Sequence, residues 1–74
     1  MDMLFEITKE FAAATVMSLS AIGAAYAIAV TGSAAAGATA EKPEVFGKVM
    51  IFVALAEAIA IYGLIIAILI LVGI

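Results

Sequence analysis

The sequence predicts an all-α protein: a transmembrane two-helix hairpin that assembles into a homo-oligomeric ring. Of its 74 residues, 69% are hydrophobic, whereas soluble domains are about 45–50% apolar. A chain this short buries a smaller fraction of its surface than larger domains do, which argues against a soluble monomer with so much apolar surface. The charges point the same way, because residues 11–40 carry none and residues 49–74 carry only Glu57.

The composition also excludes several kinds of chemistry. The chain has no cysteine and no histidine, so disulfides, thiol catalysis and zinc sites of the Cys/His type are absent. Its net charge is −3, with no basic cluster, which argues against a nucleic-acid partner. We expect no catalytic residue, metal site or cofactor, so the chain by itself is not an enzyme.

The first helix is expected over about residues 11–40. This run exceeds the roughly 20 apolar residues that cross a hydrocarbon core. A cleaved signal peptide is disfavoured because the preceding residues are acidic rather than basic. Small residues recur four apart, as in Gly23 with Ala27 and Gly32 with Ala36, and such spacing lets helices approach closely in lipid. We expect neighbours on several sides, although a bias toward alanine or a single dimer contact would give the same pattern.

A polar turn is expected at about 41–44 and a second helix at about 45–74, giving one domain over 1–74. Pro43 suits the first turn of a helix, where its missing N–H is not needed. Lys42 and Lys48 near the turn, against Lys9 alone at the other end, place the turn in the cytoplasm and both termini outside. A thin first helix beside a bulky second one forms a wedge, and identical wedges close into a ring.

Glu57 is the candidate functional residue. It lies nine residues after Lys48, or about 13 Å along a helix, which puts it near the bilayer centre. An acidic side chain there costs about 2.5–3.5 kcal/mol, and no lysine of this chain reaches it. Glu57 is therefore either protonated or bound to a cation, and a group that takes up and releases a proton there suits proton transport. The alternative is a structural hydrogen bond to a partner helix.

Two further side chains are candidates for supporting roles. Tyr62 lies about 140° round the helix from Glu57, so its hydroxyl reaches the carboxyl from a flank or from the next protomer. Otherwise it is a packing aromatic. Thr31 is expected level with Glu57 when the hairpin folds about 41–44, although membrane threonines usually bond to their own backbone.

One segment and the polar turn carry a family resemblance. The segment ALAEAIAIYGLI, residues 54–65, resembles the carboxylate segment of the proteolipid (c or K) subunit of rotary ATPases. It is most similar to the archaeal and vacuolar branch, in which the glutamate is followed by Tyr-Gly-Leu. The turn ATAEKP, residues 38–43, is similar to that family's polar loop, and the spacing from Pro43 to Glu57 also fits. The resemblance covers roughly residues 22–71.

The resemblance implies a rotor-ring subunit of an ATP synthase or V-type ATPase. Such a ring turns as each Glu57 is protonated and deprotonated, which couples proton transport to ATP synthesis or hydrolysis in partner subunits. The implied partners are identical subunits, lipid, a stator subunit that supplies an arginine, and central-stalk subunits that contact Glu41, Lys42 and Glu44 in the turn. A single hairpin, compared with the doubled hairpins of eukaryotes, indicates the cell membrane of a prokaryote, in particular an archaeon.

One departure from some relatives bears on the transported ion. Sodium-binding members of this branch place a hydroxyl residue and a glutamine after the carboxylate, where this sequence has Ala58 and Ile59. Because a hard cation needs several oxygen ligands, protons are the expected ion and sodium the alternative. Two other functions remain open: a small membrane adaptor or assembly hairpin, and a pore-forming peptide of the holin or bacteriocin type.

Overall fold

The computed structural model describes residues 2–73 and confirms the predicted all-α hairpin. Helix α1 spans Met3–Glu41, a short 3-10 turn spans Pro43–Val45, and helix α2 spans Phe46–Val72. The two long helices run antiparallel, and the Cα atoms fill a slab of 58 × 18 × 8 Å. The molecule is therefore two helices wide and one helix thick.

Helix α1 begins eight residues before its predicted start near residue 11. Asp2 caps it, because the carboxylate accepts a hydrogen bond from the backbone N–H of Leu4 at 3.0 Å. Lys9 lies 3.6 Å from the carboxylate of Glu6, three residues earlier, although a partly exposed pair of this kind adds little stability. The charged residues at this end belong to the helix, because the sequence there contains nothing that interrupts it.

The turn is built around Pro43. Lys42 leaves the helical region, with φ −137° and ψ 89°, because the proline ring disfavours a helical conformation in the residue before it. The N–H of Lys42 still donates to the Ala38 carbonyl at 2.8 Å. Helix α2 then begins at Phe46, one residue later than expected, since Pro43–Val45 form a tighter 3-10 turn.

The far end of α2 is closed by a glycine. Gly73 adopts a left-handed conformation, with φ 81°, and its N–H donates to the Ile70 carbonyl at 3.2 Å. This is a common way to end a helix, because glycine takes this conformation without steric cost. The predicted helix ran to Ile74, and the predicted domain also included Met1. Both residues lie outside the described part of the chain.

Small residues line the contact between the two helices. Three alanines of α1, eleven residues apart, are buried there, and α2 contributes two alanines and a glycine. Eleven residues make close to three turns of an α-helix, so the α1 alanines lie in one row. The buried residues are Ala13, Ala24, Ala35, Ala56, Gly63 and Ala67. The bulky residues of both helices therefore point outward.

The closest approach recorded at a glycine lies between Gly63 and Ser20. A Cβ atom added to Gly63 would overlap the Cβ and Oγ atoms of Ser20 and would lie 3.6 Å from the carbonyl oxygen of Val16. The helices come this close only because residue 63 has no side chain.

The second helix was expected to be bulky, and this contact lies on a face of α2 that is not. Its inner face carries small residues at Ala56, Gly63 and Ala67, while its outer faces expose large ones, such as Leu55 and Ile61. Both helices are long and apolar enough to cross a membrane. The hairpin thus buries small side chains between its helices and exposes many of its large apolar side chains on its outer surface.

Replacing Gly63 with alanine should destabilise the hairpin. The added methyl group overlaps Ser20, and overpacking of this kind costs about 1–3 kcal/mol. Gly47→Ala is the matched control, because a Cβ atom there meets nothing within 4 Å. We expect Gly63→Ala alone to lower the melting temperature in detergent, followed by circular dichroism. A Ser20→Gly change in the same chain should restore it. An unchanged melting temperature for Gly63→Ala would contradict the observed packing.

Candidate functional site

Glu57 lies at the middle of the second span. The apolar span of Pro43–Val72 has 30 residues, and Glu57 is fourteen residues from its beginning and fifteen from its end. At 1.5 Å per residue the carboxyl-bearing residue is about 21 Å from either end. When the span crosses a hydrocarbon core of about 30 Å, Glu57 comes to its centre.

The Glu57 side chain lies on the outside of the hairpin. The preceding residue, Ala56, is 5% exposed and faces α1, and one residue further along the helix turns the side chain by about 100°. Glu57 is consequently exposed on one flank of α2. In a membrane this flank meets lipid or another protein chain rather than α1.

The carboxylate has no polar partner within residues 2–73. The hydrogen bonds that involve side chains there start from Leu4, Thr15 and Thr31, and the one ion pair joins Lys9 to Glu6. A partner for Glu57 must therefore come from outside the hairpin. This arrangement leaves the carboxyl accessible to a group that approaches from the side.

Thr31 does not meet Glu57 in the hairpin. Its hydroxyl donates to the Ala27 carbonyl at 2.7 Å, which is the usual backbone bond of a membrane threonine. Ser20 of α1 lies opposite Gly63 of α2. Glu57 is six residues nearer to the hairpin turn than Gly63, so it is level with about residue 26, six residues nearer to the turn than Ser20. Thr31 lies more than one turn nearer to the hairpin turn, so the expected alignment with Glu57 was wrong. The 3-10 segment rises about 2 Å per residue, more than an α-helix does. Each residue of α2 therefore lies further from the turn than expected, and Glu57 is level with an earlier residue of α1.

Tyr62 and Glu57 occupy different sides of α2. Tyr62 is 71% exposed and follows Glu57 by five residues, so the two side chains diverge by about 140°. Within one hairpin the tyrosine hydroxyl makes no hydrogen bond to the carboxyl in the described residues. A hydrogen bond between these two side chain types would therefore have to join neighbouring chains, and the alternative of a packing aromatic stays open.

The polar turn forms a second exposed surface. Glu41, Lys42 and Glu44 are all exposed there, at the end of the hairpin about 21 Å from Glu57. Their side chains are accessible to a soluble partner.

One feature near the site was not predicted from the sequence, the contact of Ser20 with Gly63. Its signal was present as small residues at intervals of four and seven in α2, namely Ala56, Ala60, Gly63 and Ala67. They were masked by the bulky residues between them.

Two apolar helices of membrane-spanning length, with one acidic residue at mid-span of the second, define the class of the protein as a helical-hairpin membrane protein. Residues 11–70 match the family model that describes the C subunit of ATP synthase. The chain therefore belongs to the ATP synthase C-subunit family, and it is a membrane protein.

Three relatives illustrate the similarity. The chain is 53% identical over 62 residues to the K subunit of the A-type ATP synthase of Methanocaldococcus jannaschii, which covers 84% of this chain and 26% of the relative. It is 46% identical over 52 residues to the c''2 subunit of the V-type proton ATPase of Arabidopsis thaliana, covering 70% and 29%. It is 45% identical over 58 residues to the 16 kDa proteolipid (c) subunit of the V-type proton ATPase of Bos taurus, covering 78% and 37%.

The matched part is a small share of each relative. The chain spans between 26% and 37% of the length of these three proteins. No solved structure matches the chain.

A hydrophobic carbodiimide should label Glu57 alone among the six acidic residues. The reagent enters from the lipid phase and reacts with protonated carboxyl groups, and Glu57 is the acidic residue at mid-span. We expect the labelling, located by mass spectrometry of peptides, to weaken as the pH rises and to be insensitive to sodium. Glu57→Gln should abolish it. Absence of labelling would argue against a titrating carboxyl, and protection by sodium would overturn the assignment to protons.

Proposed function

We propose that the chain is the rotor-ring subunit of a rotary ATP synthase or ATPase and transports protons by reversible protonation of Glu57. The observation that carries the proposal is the position of this carboxyl, at the centre of a span and without a partner in residues 2–73. Ionisable groups inside a membrane are expensive and usually functional. Membership of the ATP synthase C-subunit family supports the same function.

The transported ion follows from the ligands that surround the carboxyl. Sodium requires several oxygen donors, and the residues after Glu57 are Ala58 and Ile59, which offer no side-chain oxygen. A proton needs only the carboxyl itself. Sodium coupling remains the alternative that the labelling experiment separates.

Release of the proton needs a cation from a partner. A positive charge nearby favours the ionised form of a carboxyl, and none of the three lysines lies near mid-span. We infer that a stator subunit supplies this charge, with arginine as the best suited residue because it stays protonated. The membrane potential then contributes about 2.3 kcal/mol per charge for each 100 mV.

Neighbouring identical subunits complete the surroundings of Glu57. Tyr62 is 71% exposed and diverges from Glu57 on its own helix, so it is available to the carboxyl of an adjacent chain. There its hydroxyl would hold the protonated acid while the hairpin faces lipid. The remaining outward surface contacts lipid.

The polar turn is proposed as the contact with the central stalk. Its exposed residues Glu41, Lys42 and Glu44 would bind stalk subunits on the cytoplasmic side, with both termini outside. The similarity to a K subunit of an A-type ATP synthase supports an archaeal cell membrane as the location. ATP synthesis or hydrolysis takes place in partner subunits.

Replacing Glu57 with glutamine should abolish proton transport. Glutamine keeps the size and much of the hydrogen bonding of the side chain but cannot release a proton. In membrane vesicles that hold the whole complex, we expect no ATP-driven acidification for Glu57→Gln, while the amount of assembled complex is unchanged. Glu57→Asp is the control, because it retains a titrating carboxyl and should keep part of the activity.

The outcome separates rotor from adaptor. If Glu57→Gln transports protons at the rate of the unmodified complex, the carboxyl is structural and the adaptor function is correct. If neither variant assembles, Glu57 acts in assembly rather than in transport, which also contradicts the proposal.

The pore-forming alternative predicts leakage by the chain alone. A rotor ring without its stator has no path that carries the ion across the membrane, because each carboxyl needs the partner cation to release its proton. We expect liposomes that contain only this chain to hold an imposed pH gradient as well as empty liposomes do, measured with an entrapped pH dye. Rapid collapse of the gradient would favour a pore.

A further inference from the structure

The two flanks of the hairpin differ in shape. One flank, the Glu57 flank, carries Met50, Val53 and Glu57, which share a face because they are three and four residues apart. Beside Met50 and Val53 the helices leave an open groove of about 450 Å³. The α1 wall of this groove includes Gly32 and Ala36. Because these residues are small, the groove has room for a large side chain from another molecule.

The opposite flank, the Phe52 flank, carries a ridge. Phe52, Ile59 and Ile66 are seven residues apart and therefore share a face, and all three are exposed. Phe52 is 61% exposed and borders a smaller groove of about 230 Å³ that Ala34 and Val49 also line, on the other side of the line where the helices meet. It is the largest side chain of the ridge.

The ridge and the groove lie at the same height. Phe52 falls between Met50 and Val53 in the sequence, so in two parallel copies of the hairpin the phenylalanine of one is level with the groove of the other. Copies that cross one membrane in one orientation meet this condition automatically. Glycine and alanine in the groove wall allow the close approach that helices in lipid require.

We propose that the hairpin binds a second copy of itself by inserting Phe52 into the groove between Gly32, Ala36, Met50 and Val53. The inference rests on the proposed ring and specifies which surfaces build it. Because the two surfaces differ, the contact is heterologous and repeats from copy to copy until the ring closes. It also brings the ridge at Ile59 beside Glu57 and separates the carboxyl from lipid.

Cysteine cross-linking tests the contact, because the chain has no cysteine of its own. A chain with Phe52→Cys and Ala36→Cys, expressed with its complex in membranes, should give a ladder of dimers, trimers and larger products after oxidation or treatment with a short bismaleimide. Ile51→Cys with Ala36→Cys is the matched control. Ile51 is exposed and adjacent to Phe52, but it points about 100° away and should give no ladder.

A second variant tests the contact without a cross-link. Phe52→Ala should reduce the assembled ring on native gels at detergent concentrations that leave the unmodified ring intact, while Phe52→Leu should retain most of it. Equal amounts of assembled ring for Phe52→Ala and the unmodified chain would contradict the proposed insertion.

The failures of this inference and of the proposed function are distinguishable. A ring that assembles and transports protons but gives no ladder from the Phe52 and Ala36 pair overturns the flank pairing alone. Products that stop at dimers, or a cross-link within one chain, also overturn it. If the unmodified chain forms no ring at all, both the pairing and the rotor function are wrong.

Discussion

The Glu57 carboxyl at the centre of a membrane span is the main energetic constraint on the hairpin. Such a group costs about 2.5–3.5 kcal/mol in the bilayer, and Glu57 finds no hydrogen bond or ion pair within residues 2–73 that would offset this cost. The helix holds it on a flank rather than against α1. Any polar partner of the carboxyl must therefore come from outside the hairpin.

The packing of the two helices against each other is consistent with a Glu57 side chain that lies outside their contact. Small residues between the helices, such as Ala56 and Gly63, allow close contact without any help from polar groups. Most of the large apolar side chains then face outward. A hairpin built this way has little to gain from burial in its own interior, and its flanks are available for contacts with copies of itself. Small residues also produce the groove beside Gly32 and Ala36.

The hairpin was predictable because its signal is coarse. Two long apolar runs, one without charge and one with Glu57 alone, are each long enough to cross a membrane, and a short polar turn with Pro43 separates them. Finer features depended on details that the sequence pattern does not resolve. Helix α1 starts earlier than predicted because Asp2 caps it. The alignment of Glu57 with α1 depends on the length and the rise of the 3-10 turn. The direction of Tyr62 follows from helix geometry, but a partner for it in a neighbouring chain is a proposal that one sequence cannot place.

Infrared difference spectroscopy of the ring in lipid bilayers tests most directly whether Glu57 binds and releases a proton. A protonated carboxyl in an apolar environment has a carbonyl stretch well separated from that of the carboxylate. Reversible protonation predicts a band that rises and falls with pH and is missing in Glu57→Gln. A spectrum in which the Glu57 signal does not change across the pH range, or in which the same band persists in the glutamine variant, would contradict it.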